Sequence, residues 1–155
     1  MKKVIPFLIA LLVCLTASAK SNKVLYKSTV RFLGSEHDGS VTLRVVGYGR
    51  NRVDAKEQAQ KDAVYIIVFD GIKNVGSKSI LRPIIDGVNA HEKYQEYFDN
   101  FFADNGEYKK YVSLIDTKIR SANKTKTKIG YNYEMTVRVL KSQLKARLQS
   151  DSLIH

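Results

Sequence analysis

The sequence predicts an α+β fold: an antiparallel sheet of about four strands, in two hairpins, with helices packed mainly on one face. Three observations predict it. Stretches of alternating apolar and polar residues come in two pairs, one near each end of the chain, and alternation with period two marks a half-buried strand. Between the pairs, alanine recurs at every fourth position, Ala55, Ala59 and Ala63, a spacing that gives a helix one smooth side. The chain then closes on Leu140, Leu144 and Leu148, a second helical stripe. Strand pairs with helices between them pack as a sheet under a helical layer.

The fold is expected to begin after a leader. "MKKVIPFLIALLVCLTASAK" has a basic start at Lys2 and Lys3, an apolar run from Val4 to Leu15 and the small residues Ala17-Ser18-Ala19. These are the three parts of a secretory signal peptide, and the apolar run is short for a membrane span. Cleavage is expected after Ala19, which leaves residues 20–155 as a single domain. Cys14 raises the alternative of a lipid anchor, but Val13 precedes it where that processing takes a small residue. Cys14 is the one cysteine, so the cleaved chain holds none, and disulfides, thiol catalysis and cysteine-bound metals are excluded together. Export without disulfides fits a bacterial envelope, periplasmic or outer, better than a small animal secreted domain. Of 26 basic residues, 24 remain after loss of Lys2 and Lys3, against 15 acids, for a charge near +9. Such a chain is drawn to anionic surfaces.

Val24 to Leu33 places Val24, Tyr26, Val30 and Phe32 at even spacing, and Gly34 to Ser40 is a polar turn. Val41 to Tyr48 follows with Val41, Leu43 and Val45 on one face, so the two strands form a hairpin. The main helix spans about Val53 to Phe69, with Asn51 or Asp54 as cap and Glu57 near its positive end. It stops near Gly71. Residues 77–90 read as irregular. A second helix over His91 to Phe102 puts Tyr94, Tyr97, Phe98, Phe101 and Phe102 at steps of three and four, an aromatic stripe read first as core packing and otherwise as an interface. After Asn105-Gly106, "EYKKYV" adds a short helical segment. Leu114 to Ala122 and Lys128 to Leu140 are expected as the second hairpin, turning near Asn123, before a closing helix from about Lys141.

Gly47-Tyr48-Gly49, at a strand end before a helix, invites comparison with a dinucleotide-binding turn. Arg52 occupies the third glycine position, and the preceding strand belongs to a hairpin rather than a parallel crossover, so the fingerprint fails. Gly47 and Gly49 are expected to serve the strand–helix junction, permitting a bulge or bend where the chain leaves the sheet. No cofactor is expected.

The stretch "VVGYGRNRVDAKEQAQKDAVYIIVFDGI", with "YNYEMTVRVLKSQLKARL" downstream, resembles the amino-terminal domain of flagellar assembly protein T and the related twenty-kilodalton membrane-associated lipoproteins of bacteria. The positions that carry the resemblance are Gly47, Gly49, Ala55, Ala59, Ala63, Tyr131, Val137 and Val139. It implies a small envelope domain without known catalysis, used as an assembly or interaction module. The chain departs from that pattern in its missing lipobox and in the aromatic helix Tyr94 to Phe102.

No motif for catalysis or metal binding is present. His37, His91 and His155 lack zinc spacing, Asp99, Asp104 and Glu107 miss the calcium-loop template, and no serine sits in an acyl-transfer motif. The remaining signal is cationic. Lys118 and Arg120 share one strand face, and Lys124, Lys126 and Lys128 alternate with threonines, so the five form a basic stripe along one hairpin. The bland reading is an edge kept soluble by lysine; the sharper one is an anionic-partner site. The expected function is a non-catalytic accessory or interaction domain in assembly of an envelope structure, with an envelope protein as partner. The alternatives are binding of an anionic envelope polymer or lipid head-groups through that hairpin, and an unrecognised hydrolase. Nucleic acid is not an expected partner of an exported chain.

Overall fold

A computed structural model describes residues 29–73, 80–116, 124–127 and 130–154. The expected leader, the first half of the first expected strand, and Lys118, Arg120, Lys128 and His155 lie outside the described residues.

The expected class holds: an open antiparallel sheet carries its helices on one face. Two nine-residue strands form its centre, β2 (Val41–Gly49) and β7 (Tyr131–Val139). They pair in one unbroken register, from Val41 opposite Val139 to Gly49 opposite Tyr131. β1 (Val30–Ser35) flanks β2 and shifts register between Phe32 and Gly34. Beyond β7, two three-residue strands share one edge: β5 (Val112–Leu114) lies opposite residues 137–139 and β6 (Lys124–Lys126) opposite residues 131–133.

That edge corrects the expected second hairpin. Lys124 is already paired with Tyr133, so the chain does not reverse near Asn123. The reversal is closed later, where the Thr127 N–H donates to the Gly130 carbonyl at 2.8 Å. An edge strand has one neighbour, and its register follows the central strand's buried face rather than its own alternation.

Parity sorts the sheet's two faces. Val41, Leu43 and Val45 on β2, with Tyr133, Met135, Val137 and Val139 on β7, are buried on the inner face. Each Leu or Val buried there stabilises the fold by about 1.5–3 kcal/mol. Over them lies α1 (Arg52–Tyr65). Asn51 caps it as expected, its Oδ1 accepting from the Val53 N–H at 2.8 Å and the Asp54 N–H at 3.0 Å. Ala55, Ala59 and Ala63 are fully buried on its sheet side.

The helix was expected to run unchanged to Phe69. It instead widens into a π-helical segment, Ile66–Asp70. The Gly71 N–H reaches back to the Ile66 carbonyl at 2.7 Å, one residue further than in an α-helix. The carbonyls of Ile67 and Val68 accept instead from the N–H groups of Ile84 and Ile85, at 3.0 and 2.9 Å. Gly71 has a φ of +64°, and a side chain there would meet the Leu81 carbonyl and Pro83, so glycine ends the segment for a steric reason. Two short strands, β3 (Ile72–Lys73) and β4 (Ile80–Leu81), pair beside it.

The aromatic helix is two pieces, α2 (Ala90–Lys93) and α3 (Gln95–Phe101), parted at Tyr94, whose φ of −115° is not helical. The aromatic stripe keeps its period across the break, which is why periodicity does not show it. A 3₁₀ turn, Glu107–Tyr111, leads into β5, and α4 (Lys141–Ser150) follows β7, burying Leu144 and Leu148. All these buried side chains form one cluster. Among the described residues no helix is long and apolar enough to cross a membrane.

Candidate binding surfaces

Gly47 and Gly49 sit on the inner face, directly under the first turns of α1. A Cβ on Gly47 would meet the Ala55 carbonyl oxygen and stand 2.8 Å from the Ala59 Cβ. One on Gly49 would meet the Ala55 nitrogen and stand 2.8 Å from the Asp54 Cβ. Because β2 and β7 keep register through both glycines, they make no bulge. Their missing side chains are the space the helix occupies, so the turn is filled by α1's own backbone.

Three residues of the aromatic stripe are core. Phe98, Phe101 and Phe102 are 1%, 3% and 7% exposed, and Phe98 meets Phe69 edge-on at 4.7 Å between ring centroids. They are not available to a partner. Tyr94 and Tyr97 are half-buried. The Tyr97 hydroxyl donates to Asp151 Oδ2 at 2.6 Å, and burial together with that bond pushes its pKa up to about 12. Asp151 also forms an ion pair with Arg147 at 2.9 Å, and Arg147 reaches Glu107 at 3.2 Å. This network ties α3 and the 3₁₀ turn to α4.

A second clasp was not visible in the sequence. Tyr108 is fully buried, and its hydroxyl donates to Glu57 Oε1 at 3.0 Å. Burial, then the Glu57 carboxylate, push this phenol well above its usual range. Lys61 spans Glu57 at 3.7 Å and Asp104 at 3.0 Å. Glu57 thus faces the 3₁₀ turn rather than serving the helix end. A tyrosine at helical spacing within "EYKKY" gives no hint of a partner 51 residues away.

Of the basic stripe, Lys124 and Lys126 are described, and both are exposed. They stand opposite Tyr133 and Tyr131. The Lys124 Nζ lies 3.8 Å from the Tyr131 ring centroid and 6.0 Å from that of Tyr133, a cation–π placement.

The outer face of the sheet carries Arg31, Thr42, Arg44, Val46, Glu134, Thr136 and Arg138 in alternation with the buried residues, and no helix of the described residues covers it. Arg31 lies directly opposite Arg44, a like-charge pair that opposes strand pairing. Arg44 turns to Glu134 at 3.7 Å. Leu33 and Ile115 are 44% and 48% exposed. At one border, Arg138 donates to Ser40 Oγ at 2.8 Å and pairs with Asp38 at 3.2 Å. The Ser40 hydroxyl and N–H, and then Arg138, hold Asp38 below the usual carboxylate range.

Among the described residues no group of three or more His, Cys, Asp or Glu side chains is placed to hold a metal ion. No protein family, curated protein or solved structure matches the chain, so the surfaces are read from their own chemistry.

Proposed function

We propose that the chain is a non-catalytic accessory domain of the bacterial cell envelope, exported by residues 1–19, that acts in assembly of an envelope structure by holding a protein partner on the outer face of its sheet. The observation that carries this reading is the exposed Arg31–Arg44 pair on a face that also carries the half-buried Val46, with Leu33 and Ile115 exposed at its two edges. Glu134 already answers Arg44 at 3.7 Å, so an acidic group brought by a partner would serve Arg31 beside it, and the aliphatic neighbours supply area to bury. Four strands at about 4.8 Å spacing and nine residues of β2 give roughly 500 Å². A standard interface takes about 800 Å² from each side, so the border loop that carries Asp38 joins it. The resemblance of Gly47, Gly49 and the alanine row to the flagellar assembly domain points the same way.

A photo-crosslinking residue placed at Thr42 in producing cells tests the reading, with one at Lys56, on α1, as comparison. A single discrete protein adduct from Thr42, reduced by Arg31→Glu with Arg44→Glu, is expected. No adduct, or the same adducts from both positions, refutes it. Sequencing the exported protein is expected to find Lys20 at its amino terminus.

A further inference from the structure

At one end of the sheet two chain reversals meet. β2 leaves the sheet at Gly49, opposite Tyr131, and Arg50 follows at once. The β6–β7 hairpin closes beside it, so tightly that a Cβ on Gly130 would stand 2.7 Å from the Gly49 carbonyl oxygen. Arg50, Arg52, Lys124 and Lys126 therefore share one corner, and all four are exposed. Arg50 meets Asp54 at 3.4 Å, yet 88% of its side chain is open to solvent. Lys124 is held over the Tyr131 ring, and an ammonium already fixed in place loses less freedom on binding. Among these cations Val53 stands 70% exposed.

The opposite pole is net acidic. Glu92, Glu96 and Asp99, with Lys93 among them, are exposed on α2 and α3, which pack through Phe98 on Phe69 of the π segment that follows α1. The 14 residues of α1 separate the poles by about 21 Å. Charge is thus graded along the helix.

We infer that this corner docks the protein on an anionic phospholipid surface, with Arg50, Arg52, Lys124 and Lys126 among the head-groups and Val53 at the interface. A chain of +11 is drawn to any polyanion, and two features select a membrane. Four of the described cations gather at one corner around an apolar tip, where a linear polyanion calls for a groove lined along its length. The acidic pole is repelled by the same surface, so attraction and repulsion together orient the molecule. Each cation near such a surface strengthens binding about five-fold. The docking is independent of a protein partner on the outer sheet face, and either can fail without the other.

The test is flotation of the full chain with vesicles of phosphatidylcholine alone or with roughly one third phosphatidylglycerol. Binding to the neutral vesicles measures what residues 1–19 contribute and is subtracted. Selective binding to the anionic vesicles is expected, with loss of several hundred-fold when Arg50, Arg52, Lys124 and Lys126 are all changed to Gln. A matched variant, Lys73→Gln, Arg82→Gln, Lys93→Gln and Lys145→Gln, removes as many charges elsewhere and is expected to lose no more than about five-fold. Should the first variant fold poorly by circular dichroism, Arg52→Gln with Lys126→Gln is expected to lose about 25-fold. Equal losses from both sets of four, no preference for the anionic vesicles, or binding to soluble heparin without binding to vesicles would each overturn the inference.

Discussion

Gly47→Ala puts a single methyl where α1 rests on the sheet. That methyl would stand 2.8 Å from the Ala59 Cβ and nearer still to the Ala55 carbonyl oxygen. The obstructing atoms are backbone and Cβ, so no side-chain rotation relieves them and the helix must retreat. Overpacking a core costs about 1–3 kcal/mol, and with nothing flexible to give way the upper end, about 3 kcal/mol, applies here. Alanine gives back about 0.5–1 kcal/mol by restricting the unfolded chain, leaving a net loss of about 2 kcal/mol. With a urea slope of about 1.5 kcal/mol per molar, the midpoint falls by roughly 1.3 M. Gly34→Ala is the comparison, because no heavy atom lies within 4 Å of its added Cβ; its midpoint is expected to stay level or rise slightly. Equilibrium urea unfolding followed by circular dichroism decides. If the two variants unfold within about 0.3 M of each other, the helix is not seated on Gly47 and the packing argument fails.

Two pH predictions follow from the clasps. Tyr97, raised to about 12, and Tyr108, also raised, keep their protons in the folded chain after an unfolded chain loses them near pH ~10. The folded state then binds more protons, so stability that is full below pH ~10 is lost as pH rises toward ~12. Ultraviolet titration of the folded chain should show phenols that lag the rest, and all of them ionising together refutes it. In acid the sign reverses: Asp38 and Glu107 lie below their ordinary 3.8 and 4.5, so their stabilisation is present above those values and lost as pH falls through the depressed ones. Asp38→Asn should flatten the drop in urea midpoint measured below pH ~4, and an unaltered acid limb rules the Asp38 contribution out.

The central strands were legible because each must satisfy one buried face. Val41, Leu43 and Val45, and Tyr133 to Val139, alternate for that reason, and the alanine row marks α1 through its sheet contact. Elements whose form depends on distant partners left no such mark. The π segment exists because Ile84 and Ile85 occupy its carbonyls, and β5 and β6 take their register from β7. The alternation that reveals the inner face also names the outer one, residue by residue, although nothing in it says that no helix of the described residues covers that face. For the basic hairpin, parity places Lys124 and Lys126 together, but only the register sets them opposite Tyr133 and Tyr131. Nothing local marks Arg50 and Arg52, because no pattern tells that Gly49 and Gly130 adjoin.

The position of β7 has a consequence for the order of assembly. The strand that joins β2 to both edge segments is made after α1, so during synthesis the β1–β2 hairpin waits with its second neighbour missing. Helix α1 then has half a floor to lie on. Until residues 131–139 arrive the sheet stays open, and a shortened chain ending before residue 131 is unable to close it.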